Sequence, residues 1–332
     1  MPSAGRIAAF AIAISLLVAG GCAAPNRNRE GVRPSPVARP QPYDAPRPTT
    51  GCGAPAPATA GTTAALEVAT DAHLEKGRNK RVYRLHLPAG YSPGQPVPLV
   101  VVLHGYSGDA AGVEQATGLS SAADRLRFAV AYPEGVTDSE GNQFWNSVGN
   151  VGKSPDDVLF VSLLLDQLQR SACIDAARIY ATGFSNGGGM TGVLMCRLGH
   201  RIAAFAPIAG NFYRILGGCT VDRPISLAEV HGNRDDVIPY GGIPSSQEPR
   251  YPLPAIPDWL AGWALHDSCT ADPTVFLAAS DAIGEHWSGC AAGSEVAHYR
   301  IEGGGHSVPA QIAGRPFADV LWDFFSTHAL PT

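Results

Sequence analysis

Ser185 lies at the centre of Gly183-Phe184-Ser185-Asn186-Gly187, which has the G-x-S-x-G pattern. The pattern alone is weak evidence in a glycine-rich chain, and its context makes it informative. An apolar segment at residues 178–182 precedes it, and a helix-compatible segment at 188–198 follows it. A strand, a tight turn and a helix in this order hold a serine hydroxyl exposed at the end of the strand. The pattern therefore predicts Ser185 to be a nucleophile, and the alternative is a glycine-rich loop before a helix.

A serine hydroxyl needs a general base, and the base needs a group that orients it. His306 follows three glycines in a loop between an apolar segment and the last helical segment, so we predict that it is the base. Asp235 and Asp236 follow another apolar segment, and either would complete the chain order serine, acid, histidine. Spacing does not separate these two, and each can also serve as a turn residue. His231, at the end of the same segment, is expected to be structural.

Two backbone N–H groups are predicted to stabilise the oxyanion that forms when a serine attacks a carbonyl. Asn186 would supply one because it follows the nucleophile, and Tyr106 the other from the loop after an early strand. His104 precedes Ser185 in the chain and is expected to support that loop. Trp145 is predicted to line the substrate pocket, with a place in the core as the alternative. This chemistry requires no metal and no organic cofactor.

The elements that must position these residues alternate between strands and helices. Strands are predicted at 81–87, 98–103, 128–132, 178–182, 203–208, 226–230 and 296–301, and helices at 110–127, 156–169, from 186, at 257–266 and at 316–328. This alternation predicts an α/β fold, with a mostly parallel central sheet flanked by helices. The catalytic domain is predicted to cover residues 64–332.

The amino-terminal residues predict export. Residues 1–21 combine Arg6 with an apolar run too short for a confident membrane span, which is typical of a signal peptide. The sequence ending at Cys22 resembles a lipoprotein signal, so Cys22 is predicted to carry a lipid that anchors the protein to the outer face of the cell membrane. The alternative is an ordinary signal peptide cleaved near Ala24. Residues 22–63 are rich in proline and predict a disordered tether.

Charge and cysteine content agree with an exported globular protein. The chain has 24 basic and 29 acidic residues, a formal charge of −5, and no block of like charge that would predict a nucleic-acid partner. It has seven cysteines, and six remain if Cys22 is lipidated. Thiols outside the cytosol tend to form disulfides, and no cysteine or histidine spacing indicates zinc.

The motifs, taken in order, resemble those of the feruloyl esterase and polyhydroxybutyrate depolymerase group of α/β-hydrolases, including LpqC-like exported esterases. The resemblance covers about residues 51 to 325. It is carried by Leu103-His104-Gly105, Trp145-Asn146, Asp156-Asp157-Val158, Gly183 to Gly188, His231-Gly232 with Asp235 and Ile238-Pro239-Tyr240, and Gly303-Gly304-Gly305-His306.

The resemblance implies further details of the site. The acid of this group stands four residues after the histidine at the strand end, which is Asp235 here. The resemblance also implies a disulfide between Cys269 and Cys290. It leaves the pairing of Cys52, Cys173, Cys196 and Cys219 open, since four cysteines allow three connectivities.

The function implied is hydrolysis of carboxylic esters through an acyl-enzyme, and feruloyl or acetyl esters of polysaccharides are the first choice of substrate. Hydroxyalkanoate esters are the alternative. They are disfavoured because Ser307-Val308-Pro309 replaces the Trp-Pro that depolymerases usually have after the histidine. Two alternative functions from other classes of protein are a peptidase on the same fold and a non-catalytic surface-binding lipoprotein. The expected partners are a small or polysaccharide-linked ester and, through the lipid, a membrane.

Overall fold

The computed structural model describes residues 43–70, 79–149, 155–270 and 272–331. A ten-stranded sheet forms its centre, with the strand order β1-β2-β4-β3-β7-β8-β9-β12-β11-β10. Its strands are β1 (Thr62–Ala69), β2 (Lys80–Leu87), β3 (Val97–Leu103), β4 (Ala129–Pro133), β7 (Ile174–Phe184), β8 (Ala204–Ile208), β9 (Ser226–Gly232), β10 (Thr274–Ala278), β11 (Ala282–Trp287) and β12 (Val296–Ile301). Two short hairpins add β5 (Val136–Thr137) with β6 (Gln143–Phe144), and β13 (Gln311–Ile312) with β14 (Arg315–Pro316).

The middle of the sheet is parallel and its edges are antiparallel. The six strands from β4 through β3, β7, β8 and β9 to β12 pair in parallel, whereas β1 and β2 on one side and β11 and β10 on the other pair antiparallel. Every residue of β3 is buried, as expected for a central strand covered on both faces. The carboxyl ends of the parallel strands meet at one edge, where loops can present side chains together.

Helices cover both faces of the sheet. They are α1 (Ala110–Thr117), α2 (Leu119–Leu126), α3 (Asp157–Ser171), α4 (Asn186–Arg197), α5 (Ile256–His266) and α6 (Phe317–Ser326). One apolar core contains side chains of α3, α4 and α5, and a second core, on the opposite face, contains side chains of α1, α2 and α6. Among the described residues, no helix has both the length and the apolar character needed to cross a membrane.

The predicted fold class is confirmed, and two of its details are corrected. The helix predicted at 110–127 is two helices, because Gly118 takes a left-handed conformation with φ 64° and ends α1. The strands β1, β10 and β11 were not predicted. β1 and β10 are the two edge strands and expose many side chains, and β11, next to β10, is only partly buried. Their sequences therefore lack the continuous apolar character of the central strands.

The tether predicted to reach residue 63 is wrong from Tyr43 onward, where the described chain packs on the domain. The Tyr43 carbonyl accepts a hydrogen bond from Ser162 at 2.8 Å, and the Gly51 N–H donates to the Gln169 carbonyl at 2.9 Å. A disulfide joins Cys52 to Cys173. The proline-rich composition does not predict these contacts, because they depend on backbone groups and on one cysteine. The predicted signal peptide, Cys22 and the rest of the predicted tether lie outside the described residues.

Candidate active site

Ser185 stands in the turn between β7 and α4, at the carboxyl end of the central strand. Its backbone has φ 56° and ψ −118°, a region that residues with a side chain rarely adopt. The Ser185 N–H donates to the Ile208 carbonyl at 2.9 Å, which holds the turn against β8. A Cβ on Gly187 would overlap the carbonyls of Leu103 and His104, so only glycine allows the turn to approach β3 this closely. The strand, turn and helix predicted around the serine are present.

The side chains of Ser185, His306 and Asp235 form one hydrogen-bonded line. His306 Nε2 lies 2.8 Å from Ser185 Oγ, and His306 Nδ1 lies 2.7 Å from Asp235 Oδ2. Because the carboxylate can only accept, Nδ1 carries the proton and Nε2 is left to accept the proton of the serine. The Phe184 ring lies 4.8 Å from the imidazole, centroid to centroid, and covers part of it. The geometry is that of a nucleophile, a base and an orienting acid.

Of the two acid candidates, the structure brings only Asp235 to His306. Its carboxylate is buried, and Oδ1 accepts hydrogen bonds from the N–H groups of Val237 and Ile238 at 2.9 and 2.8 Å. These bonds leave Oδ2 for the imidazole. The neighbouring Asp236 is exposed. The choice that the motif resemblance favoured therefore agrees with the geometry.

The loops that carry the acid and the base cross in contact with each other. The Arg234 N–H donates to the Gly304 carbonyl at 2.9 Å, and Asn233 Oδ1 accepts from the Gly303 N–H at 2.8 Å. A Cβ on Gly232 would overlap the Gly304 carbonyl. Gly232 and Gly304 thus allow the two backbones to meet, which fixes the distance between imidazole and carboxylate.

The loop after β3 reaches Ser185, as predicted for the loop that holds Tyr106. A Cβ placed on Gly105 would lie 3.4 Å from the Ser185 Cβ. His104 is buried behind this loop, and its Nε2 accepts a hydrogen bond from the Gly135 N–H at 2.9 Å. Burial lowers the pKa of His104, so the ring is neutral and supports the loop. The Tyr106 side chain is exposed and donates to Asp138 at 2.8 Å. The oxyanion role of the Tyr106 and Asn186 N–H groups stays a prediction.

The prediction that Trp145 lines the substrate pocket is wrong. Only 1% of its surface is exposed, so no face is left for a substrate to contact. Its indole N–H donates to the His104 carbonyl at 2.9 Å, and its main-chain N–H donates to Asn186 Oδ1 at 2.7 Å. Trp145 therefore connects the loop after β3 to the first residue of α4, two segments that flank Ser185.

A buried ion pair fixes the segment that follows Trp145. Arg81 Nη1 lies 2.5 Å from Asp157 Oδ1, and both side chains are almost fully buried. The other carboxylate oxygen of Asp157 accepts from the Asn146 N–H at 2.7 Å. The Arg81 guanidinium also lies over the Phe160 ring, 3.6 Å from its centroid. The sequence motifs Trp145-Asn146 and Asp156-Asp157 are thus parts of one support behind the serine.

Glu229 and His298 were not singled out from the sequence as members of the site. Glu229 is fully buried on β9, with His231 Nδ1 2.9 Å from one carboxylate oxygen and His298 Nδ1 2.9 Å from the other. A glutamate inside an otherwise apolar strand was the available signal, because such a residue is almost never buried without a partner.

Three disulfides hold the described part of the chain together. Cys269 bonds to Cys290, so the pairing that the resemblance implied is confirmed. The two pairings left open are Cys52 with Cys173, and Cys196 with Cys219. Such bonds agree with an oxidising compartment.

The sheet order, the strained serine turn after β7 and the line from Ser185 through His306 to Asp235 define an α/β-hydrolase fold. Residues 81–223 match the model of the family described as Esterase PHB depolymerase. The resemblance predicted from the motifs is therefore confirmed.

Two curated relatives carry esterase names. Feruloyl esterase B of Piromyces equi is 30% identical over 74% of this chain and 44% of its own length. The bifunctional acetylxylan esterase/xylanase XynS20E of Neocallimastix patriciarum is 29% identical over 77% of this chain and 34% of its own length. The chain thus spans less than half of either relative. These names agree with the predicted enzyme class, the carboxylic ester hydrolases.

A solved structure supports the fold over most of the chain. The acetyl xylan esterase from Aspergillus awamori superposes with a TM-score of 0.58 at 14% identity, covering 79% of this chain and 99% of that chain. At this level of identity the likeness concerns the fold.

Proposed function

We propose that this protein is a serine carboxylesterase that hydrolyses its substrate through an acyl-enzyme. The observation that carries the proposal is the position of His306, whose two ring nitrogens lie 2.8 Å from Ser185 Oγ and 2.7 Å from Asp235 Oδ2. In the proposed reaction, His306 takes the proton of Ser185 as Oγ attacks the ester carbonyl. Asp235 stabilises the imidazolium that results.

The remaining steps follow from the same groups. The N–H groups of Tyr106 and Asn186 are proposed to stabilise the oxyanion, and the protonated His306 then gives its proton to the departing alcohol. A water molecule, activated by the same imidazole, attacks the acyl-enzyme and releases the acid. The positive end of α4, which begins beside Ser185, favours the negative charge that develops there.

For the substrate, we propose feruloyl or acetyl esters of polysaccharides. The names of the two curated relatives support this choice. A groove of about 960 Å³ lies beside the carboxyl half of α4, and we propose that it binds the part of the substrate distant from the ester. One wall is Phe212, which follows β8 by four residues, packs near Gly192 of α4 and stacks on Trp259 with centroids 3.7 Å apart. The half-exposed Tyr251 lies next to Tyr213, which lines the groove, with ring centroids 5.4 Å apart. Flat aromatic surfaces with polar edges suit sugar rings and phenolic acids.

Hydroxyalkanoate esters are the second candidate, and the match of residues 81–223 to a family named for polyhydroxybutyrate depolymerases favours them. A panel of methyl ferulate, feruloylated and acetylated xylan, and hydroxybutyrate oligomers tests the choice. Sugar-linked ferulate or acetate should give the highest kcat/KM. A preference for hydroxybutyrate oligomers would overturn the first candidate.

The groove has its own test in a pair of matched variants. Tyr251→Ala should raise KM for feruloylated xylan by about fivefold, as expected for one lost aromatic contact, and leave p-nitrophenyl acetate hydrolysis unchanged. Phe276→Ala removes an equally exposed aromatic side chain from β10, away from the groove, and is the control. Equal effects of the two variants on both substrates would remove the groove from the proposal.

We further propose that the protein is exported and that Cys22 anchors it through a lipid. The three disulfides support export. Mass spectrometry of the mature amino terminus tests the anchor. A diacylated Cys22 supports it, and a mature chain that begins after Cys22 would exclude it.

A further inference from the structure

Behind Asp235 lies a buried cluster of ionisable groups that the proposed mechanism does not use. His231 is the last but one residue of β9, and its ring is fully buried. Its Nδ1 lies 2.9 Å from Glu229 Oε1, and its Nε2 lies 2.8 Å from the Ile238 carbonyl oxygen. Both of these oxygens are acceptors, so both ring nitrogens must donate. A histidine with two N–H donors is an imidazolium.

The charge balance of the cluster agrees with a protonated His231. A buried carboxylate needs an opposite charge, and the imidazolium of His231 supplies it for Glu229. His298 needs no second charge, since its Nε2 lies 3.0 Å from the Tyr240 hydroxyl, which can donate. Burial lowers the pKa of His231, but the attraction and hydrogen bond of Glu229 raise it more, to above its ordinary value. Burial raises the pKa of Glu229, and the two histidines lower it more.

The same histidine contacts the acid and its loop. His231 Nε2 lies 3.4 Å from Asp235 Oδ2, the oxygen that His306 uses. The hydrogen bond from His231 to the Ile238 carbonyl closes the loop in which the Ile238 N–H donates to Asp235 Oδ1. Asp235 Oδ2 thus contacts His231 directly, and Asp235 Oδ1 is connected to His231 through the backbone of Ile238.

We propose that His231, held as an imidazolium by Glu229, is a positioning residue for Asp235. It fixes the acid loop and places a buried positive charge beside the carboxylate oxygen that orients His306. This charge offsets part of the attraction between Asp235 and a protonated His306. The proposal rests on the proposed function, because it assigns a task within the same site.

The first test is the pH dependence of kcat/KM for p-nitrophenyl acetate in Glu229→Gln and His231→Gln. Both changes remove the positive charge, which lies at most about 6 Å from His306 Nδ1 along the two contacts through Asp235. The acid limb of the profile should therefore move to higher pH by about 0.5–2 units in His231→Gln, for an effective dielectric constant between 80 and 20. The shift should be smaller in Glu229→Gln, because this change also removes the more distant negative charge of Glu229. The groups that face His231 from neighbouring segments, and that must stay unchanged in these variants, are Asp235, Tyr240, His298 and Arg300.

Tyr240→Phe is the matched control, because it perturbs the far side of the cluster and leaves the charge of His231 in place. Its acid limb should stay where the wild type has it. If His231→Gln does not fold with Glu229 left unpaired, the double variant Glu229→Gln/His231→Gln removes the pair together. An unmoved acid limb in active, folded variants, or an equal shift in Tyr240→Phe, would overturn the proposal.

The second test does not depend on activity. In Ser185→Ala, the nitrogen-15 resonances of the His231 ring should show a proton on both nitrogens at pH 7. When Glu229→Gln is added, the ring should lose one of these two protons. A singly protonated His231 ring with Glu229 intact would overturn the proposal. If the wild type hydrolysed no ester, the proposed function would fail, while these resonances would still decide the state of His231.

Discussion

Asp235→Asn isolates the task of the acid, because the change keeps the size of the side chain. In the native site Oδ1 accepts the N–H groups of Val237 and Ile238, and Oδ2 accepts the proton of His306 Nδ1. An asparagine keeps its carbonyl oxygen on the two backbone donors and turns its NH₂ group toward His306. The imidazole must then accept at Nδ1 and carry its proton on Nε2, where it faces Ser185 and cannot take the serine proton.

We expect Asp235→Asn to lower kcat for p-nitrophenyl acetate by roughly 10⁴-fold at neutral pH, which corresponds to about 5.4 kcal/mol of activation free energy. The assay is steady-state hydrolysis with the thermal unfolding midpoint measured on the same samples. Asp236→Asn is the matched control and should retain wild-type kcat, since Asp236 is exposed beside the loop that holds the acid. A folded Asp235→Asn protein with kcat within tenfold of wild type would refute the assignment of the acid.

Three further changes test the supports of the site. Trp145→Phe removes the donor to the buried His104 carbonyl, so it should lower the free energy of unfolding by about 1–3 kcal/mol. It should also reduce kcat more than it raises KM. An unchanged midpoint of urea unfolding would contradict this. Replacing Cys52 and Cys173 by serine removes a disulfide between residues 121 apart in the chain and should lower the free energy of unfolding by about 2–5 kcal/mol, measured with urea. A loss under about 1 kcal/mol would mean that the amino-terminal segment adds little to the stability of the domain. The third change is the neutral double variant Glu229→Gln/His231→Gln. The raised pKa of His231 contributes stability below its ordinary value of 6.5, and this contribution is lost as the pH rises through the folded value. The lowered pKa of Glu229 contributes above its ordinary value of 4.5, and this is lost as the pH falls through the folded value. The Tm of wild type relative to the double variant should therefore be highest near pH 5.5 and fall toward pH 9; a pH-independent difference would contradict the pair.

The residues that do chemistry could be predicted because their signals are local. Ser185 lies in a pattern that requires a strained turn, and His306 lies in a glycine-rich loop before the last helix. The choice between Asp235 and Asp236 was not local, because it depends on which carboxylate the crossing of two loops brings to the imidazole. Family motifs supplied that choice, and the distances agree with it.

The supports of the site were harder to predict, because they depend on contacts between distant segments. Trp145 was assigned to the pocket since an aromatic residue near the site suits either a pocket or a core, and only its 1% exposure decides. Glu229 meets His298 because β9 pairs in parallel with β12 at that register, which no local pattern gives. The segment from Tyr43 to Thr63 packs on the domain through backbone hydrogen bonds, side-chain ion pairs such as Asp44 with His200, and one disulfide, although its composition is typical of a tether.

The most direct measurement of the central claim is the reaction of the folded protein with a fluorophosphonate, followed by mass spectrometry of the intact chain and of its peptides. The account predicts one phosphonyl group per molecule, carried by Ser185, with labelling abolished in Ser185→Ala and greatly slowed in His306→Ala. A folded wild-type protein that stays unlabelled, or a label that persists in Ser185→Ala, would contradict it.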